Sequence, residues 1–181
     1  IGTIYEDQGD IPKALDNYTQ SLKIYEQIGH QIGIAISLGH IGSIYMDQGD
    51  HAKALDYLTQ SLKIREQIGD QSGIAASLNN IANIYHSQGD HTQVLDYCKR
   101  SYELAVSIGV LESQKIACTC LYITYKAMGM GNKALSYHER LNAVEDSLNA
   151  EETAKQLQQL EFAKAMLADS LQQEEAKLKV E

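Results

Sequence analysis

The residues best equipped for chemistry in this chain are histidines, cysteines and tyrosines, and their spacing argues against catalysis. His51 and His91 each follow a Gly-Asp pair, where a helix start facing solvent is expected. His30 and His40 stand alone. His86 can face a groove, but no second His or Cys lies three or four residues from it to complete a helical zinc pair. Cys98, Cys118 and Cys120 are an odd count with no CxxC pair. They read as small apolar residues, buried or half-buried, rather than metal or redox ligands. Tyr5, Tyr45, Tyr85 and Tyr125 recur at one interval. Such a ladder can stack bases, or it can pack a core with its hydroxyls outward, and core packing is the expected role. No GxSxG, no glycine-rich phosphate loop and no HExxH occurs. Asn17-Tyr18-Thr19 fits a glycosylation sequon but falls in mid-helix, which marks it as coincidence. The expectation is no catalytic residue, no metal and no cofactor.

Composition narrows the partners. The 181 residues carry 15 Lys and Arg against 24 Asp and Glu, a formal charge of −9. That balance disfavours a nucleic-acid backbone and an anionic membrane surface, both of which need clustered cations. At 44% hydrophobic, the chain can bury a core. Pro12 is the single proline, so helices can run without interruption. No run of roughly 18 apolar residues is present, so no membrane insertion is expected. Ile1 aligns with Ile41 and Ile81, in the middle of a repeated segment. A fragment with its native N-terminus upstream is therefore expected.

The elements that position these residues are written in the repetition. IGTIYEDQGD at 1–10 returns as IGSIYMDQGD at 41–50 and IANIYHSQGD at 81–90, with a decayed copy, LYITYKAMGM, at 121–130. ALDNYTQSLKIYEQIG at 14–29 returns at 54–69 and, altered, at 94–109. A fixed interval of 40 residues marks a stacked solenoid. Within one unit, Ile34, Leu38, Ile41, Ile44 and Tyr45 recur at three and four, the period of an amphipathic helix. Gly49 suits a left-handed C′ position, and Asp50 can cap the next helix. Ala54, Leu55, Leu58, Leu62 and Ile64 mark the second helix, and Gly69-Asp70 repeats the signal. First helices are expected at 1–8, 32–48, 72–88 and 112–128, and second helices at 12–28, 52–68, 92–108 and 132–148. Asn132 is the expected cap of the last. Gly42 and Ala82, and Ala14, Ala54 and Ala134 opposite them, are the small residues that let helices approach closely.

Leu38, Ile41-Gly42, Tyr45, Gly49-Asp50, Ala54, Leu58 and Ser61-Leu62 resemble the tetratricopeptide repeat. The unit is about six residues longer than the usual 34. In this form it is similar to the long-helix repeats of G-protein-signalling modulator scaffolds and kinesin light chains. The resemblance covers 1–148 and implies an all-α, right-handed superhelix. It has a truncated first repeat and units at about 1–30, 31–70, 71–110 and 111–148. It also implies that the first helix of each unit lines a concave groove for a protein or peptide. Carried over residue by residue, the groove includes Ser43, Met46, Asp47, Asn79, Asn80, Asn83, His86, Thr119, Ile123 and Lys126. Asn80-Ile81-Ala82-Asn83 matches the N-L-G-N element with which scaffold-type repeats hold a peptide backbone. An amide both donates and accepts, so it can mimic a strand edge. Asn79 and Asn83 can equally be an ordinary solvated polar pair. Where those scaffolds carry an arginine, Ala76 stands here. Lys126 is the single basic residue of the set, which argues against a carboxylate clamp.

After 148 the pattern stops. Residues 149–181 lack Gly and Pro. Leu157, Leu160, Leu167, Leu171 and Leu178 fall on a heptad seam interrupted by Lys164 and Glu174. Phe162, Ala163 and Met166 lie off the seam, where they can pack back on the last repeat. This segment reads either as a dimerising or signalling helix or as a cap of the solenoid. Its texture, a D-S-L-N-x-E-E hinge and then a helix rich in Glu, Gln and Lys, is similar to the linker after the repeats of Bacteroidetes-type sensors. That resemblance implies a sensor or scaffold segment of a bacterial signalling protein, on the cytoplasmic or the periplasmic side, with a histidine kinase, cyclase or DNA-binding output domain. A free-standing adaptor is the alternative.

Overall fold

The computed structural model describes Gly2–Leu178, with side chains through Leu167. The described residues form eight helices and no strand. They are α1 (Gly2–Asp7), α2 (Ile11–Ile28), α3 (Gln31–Asp47), α4 (His51–Ile68), α5 (Gln71–Ser87), α6 (His91–Ser107), α7 (Leu111–Ala127) and α8 (Gly131–Leu178). The chain divides into two compact units, Ile1–Leu141 and Asn142–Glu181.

In the first unit the turns carry out what the Gly-Asp pairs promise. Gly29 and Gly69 have φ of 68° and 72°, a left-handed conformation that L side chains rarely adopt. The next residue caps the following helix. The Asp50 carboxylate accepts from the Lys53 backbone N–H at 3.2 Å, and that of Asp70 from Gly73 at 2.9 Å. At the matching place His30 does the same work: its Nδ1 accepts from the Gly33 N–H at 2.9 Å. Val110 has no side chain able to do so, and α7 starts without a side-chain cap.

Consecutive helices pack against each other throughout this unit. The backbones of the odd-numbered helices also approach closely across repeats, α3 to α5 and α5 to α7, while α4 and α6 stand further apart and meet through the Arg100–Glu66 ion pair at 3.7 Å. Closer spacing on one layer than the other curves the stack, with α3, α5 and α7 inside. The core runs between the layers through Leu38, Ile41, Ile44, Leu58, Leu78, Ile81 and Leu121, each nearly or wholly buried. Small residues let the layers close. A Cβ on Gly42 would lie 2.7 Å from Leu58 Cγ, so only glycine fits there. Ala54, Val94 and Ala134 are buried on the opposing layer.

The tyrosine ladder is core packing. Tyr45 stacks on Tyr57 with centroids 5.6 Å apart, Tyr85 on Tyr97 at 5.5 Å and Tyr125 on Tyr137 at 5.7 Å. His40, expected to stand alone, lies flat on Tyr18 at 4.5 Å, and the Tyr18 hydroxyl donates to Glu6 at 2.7 Å.

Three expectations about the C-terminal segment are corrected. α8 starts at Gly131, so Asn132 lies inside its first turn rather than capping it. The same helix runs through the D-S-L-N-x-E-E segment without a break, because nothing there ends a helix. Phe162 and Met166, expected to be covered, are 68% and 58% exposed.

Candidate ligand groove

The inner layer presents one line of positions per helix. Ile36 and Asp47 of α3, Ala76, Asn83 and His86 of α5, and Ile116, Ile123 and Lys126 of α7 are exposed. Ser43 and Met46 are half-buried. Ser43 turns its hydroxyl back to the Gly39 carbonyl at 3.1 Å, and Met46 packs on the core.

Between α5 and α7 the groove deepens into a cavity of about 270 Å³. Asn83 and His86 form one wall; Lys115, Ile116, Thr119, Cys120 and Ile123 form the other. Of the residues expected in the groove, Asn83, His86, Thr119 and Ile123 are thus brought together. Ile116 and Ile123, both 44% exposed, make the wall largely apolar. Asn83 and His86 supply polar groups on the facing side. Lys126 lies one turn beyond, with its ammonium 3.4 Å from the Tyr122 hydroxyl. Charge is graded along the inner face, with Asp47 towards α3 and Lys115 and Lys126 on α7.

Asn79 and Asn80 stand apart from this cluster. Asn80 is half-buried. Asn79 is 4% exposed, and neither its amide nitrogen nor its oxygen has a hydrogen-bond partner. A buried unpaired amide of this kind costs about 1–3 kcal/mol.

The cysteines depart from expectation. Cys98 of α6 and Cys120 of α7 form a disulfide, and Cys118 remains a free, buried thiol. Burial pushes the Cys118 thiol up to about 11, so it stays protonated at neutral pH. The repeat register held the signal for the bond. Tyr18 and His40 are separated by the same 22 residues and lie in contact. One interval of 40 further on are Leu58 and Asn80, and one more gives Cys98 and Cys120. Lys115 and Cys120 are the groove residues that sequence reasoning missed. Among the described residues no group of three or more His, Cys, Asp and Glu is placed to hold a metal ion. No described helix is long and apolar enough to cross a membrane.

Residues 33–107 match the family model described as tetratricopeptide repeat, so this stretch carries that repeat. No curated protein matches the chain in sequence. Solved structures share the fold. BtubC (BKLC) from P. vanneervenii is 19% identical with a TM-score of 0.74, over 82% of this chain and 61% of that one. A Rap protein complexed with competence and sporulation factor is 21% identical with a TM-score of 0.73, over 80% of this chain and 40% of that one. A signal transduction ATPase with a tetratricopeptide repeat sensor, from Pyrococcus horikoshii, is 20% identical with a TM-score of 0.70, over 77% and 22%. The chain thus spans less than two thirds of the length of each.

Proposed function

We propose that the chain is a protein- or peptide-binding module whose ligand lies along α3, α5 and α7. The observation that carries this reading is the cavity between α5 and α7, where exposed Ile116 and Ile123 face Asn83 and His86. An apolar side chain of the ligand enters this cavity, and Asn83 and Thr119 offer hydrogen bonds to its backbone. Pockets of this composition, apolar with a few convergent polar groups, are the usual ligand sites of folded proteins. The Rap protein complexed with competence and sporulation factor has the same fold.

We further propose that the module is the sensor or scaffold segment of a larger signalling protein. The support is the long exposed α8 after the groove, together with the tetratricopeptide repeat sensor of the signal transduction ATPase that shares the fold. A free-standing adaptor is the second reading, favoured by nothing specific in the described residues.

The test is selection of binders from a library of extended peptides on the native array, followed by titration against variants. Ile123→Ser is expected to abolish binding of groove ligands. Asn83→Ala is expected to weaken it by about 1–3 kcal/mol, the cost of a backbone group left without its partner. Binders that tolerate both changes would place the interaction elsewhere on the array.

A further inference from the structure

We infer that Cys120 is a thiol-exchange site on the wall of the groove, taking small monothiols. The bond it makes with Cys98 is asymmetric in access. Cys98 is wholly buried on α6, whereas Cys120 is half-buried and lines the cavity between α5 and α7. A thiolate from solution therefore reaches one sulfur of the pair.

The reaction balances without an outside oxidant. The incoming thiolate attacks Cys120 Sγ, and a new disulfide forms between that sulfur and the small thiol. The Cys98–Cys120 bond breaks, and its electron pair leaves on Cys98, which takes up a proton. Thiol plus protein disulfide becomes mixed disulfide plus one protein thiol. Lys115 and His86 line the same cavity. The Lys115 ammonium is held 3.8 Å from the Glu112 carboxylate, at the surface. With its charge offset by Glu112, Lys115 sets no preference among thiols, and access alone selects the sulfur attacked.

The fold does not depend on this bond. Tyr18 with His40, and Leu58 with Asn80, occupy the same two repeat positions without covalent linkage, so opening the disulfide leaves a repeat like its neighbours. Cys118 is also wholly buried and does not line the cavity, so it does not compete. An adduct on Cys120 fills the space assigned above to a ligand side chain. That consequence rests on the groove reading; the exchange itself does not.

The experiment uses the whole chain in a glutathione redox buffer, quenched with acid, alkylated with N-ethylmaleimide and mapped by mass spectrometry. A non-reducing map of the untreated protein is expected to show Cys98 joined to Cys120. Exposure to the buffer is expected to give one glutathione per chain, on Cys120. In Cys98→Ser, which leaves Cys120 as a free thiol, the oxidised glutathione of the buffer is expected to place the same adduct there, the Cys120 thiolate displacing one glutathione thiolate. Adducts on Cys98 or Cys118 would overturn the inference, as would exchange no faster than in a Cys120→Ser control. Absence of the Cys98–Cys120 bond from the untreated protein would overturn it at the first step.

Discussion

Single residues in this array are chosen against the residue they meet one layer away. Gly2 faces Tyr18 and Gly42 faces Leu58, and a Cβ on either glycine would collide with that side chain. One interval on, Ala82 and the smaller Cys98 take the two positions. Gly42→Ala is therefore expected to destabilise by about 1–3 kcal/mol through overpacking. Adding Leu58→Cys, which reproduces the next repeat's pair, is expected to recover part of the loss. Urea midpoints of the single and double variants check this; additive losses would refute it. Asn79 predicts the opposite sign. Its position is Gly39 in one neighbour and Thr119 in the other, so Asn79→Thr is expected to raise the midpoint by removing an unpaired buried amide. If Asn79 is instead a ligand clamp, the same variant loses peptide affinity.

His40 supplies a pH dependence. Burial against Tyr18 is the main cause that lowers its pKa from the ordinary 6.5, Glu6 opposes that shift, and Arg65 reinforces it. The folded chain then binds fewer protons at this site than the unfolded chain. Stability from His40 is thus complete above about pH 6.5 and declines as pH falls through that range. Unfolding free energies at about pH 7.5 and about pH 5.5 should differ more for the native chain than for His40→Phe, which keeps the ring and cannot titrate. Equal differences would remove His40 as the cause.

At the scale of elements, the repeat made most of the structure legible. Gly49-Asp50 and Gly69-Asp70 located the turns because each half of the signal has one physical use, a left-handed stop and an N-cap. The observed helices α2 to α7 begin and end within a residue or so of expectation for that reason. What escaped were contacts across the layers. The Tyr18–His40 stack and the Cys98–Cys120 bond join residues far apart in sequence, and only the register of one helix on the next places them. Asn79 was misplaced as well. Its period puts it on the inner layer, yet its amide is buried. Cross-layer contacts also include polar ones. The Ser61 hydroxyl donates to the Ala35 carbonyl at 2.7 Å, and that of Ser101 to Ala75 at 3.0 Å. Both serines are fully buried. Ser61→Ala, which removes only the hydroxyl, leaves the carbonyl without its donor and is expected to cost about 1–3 kcal/mol. A midpoint unchanged by Ser61→Ala would show that the carbonyl is already satisfied within its helix.

For the molecule as a whole, the open question of chemistry is what covers α8. From 149 to 167 every residue is exposed, including Leu157, Leu160 and Leu167 on the expected seam. The helix backbone continues to Leu178, while the side chains of Leu171 and Leu178 lie outside the described residues. An isolated helix of this length is marginal in water when its apolar stripe meets solvent, since packing supplies most helical stability. A second copy of the chain offers the matching seam, and a two-stranded coil buries leucines at alternating three and four spacing. Phe162 and Met166 lie off that seam and stay exposed in such a pair, so they do not contribute to it. Lys164 falls on the seam and weakens it. We therefore propose weak self-association through α8, visible as a sedimentation coefficient that rises with concentration. Leu160→Lys with Leu167→Lys is expected to hold the chain monomeric at every concentration without shifting the melting of the repeats. Lys164→Leu is expected to strengthen the dimer. A native chain that sediments as a monomer throughout, with Lys164→Leu doing the same, would show that the leucine stripe serves no second copy.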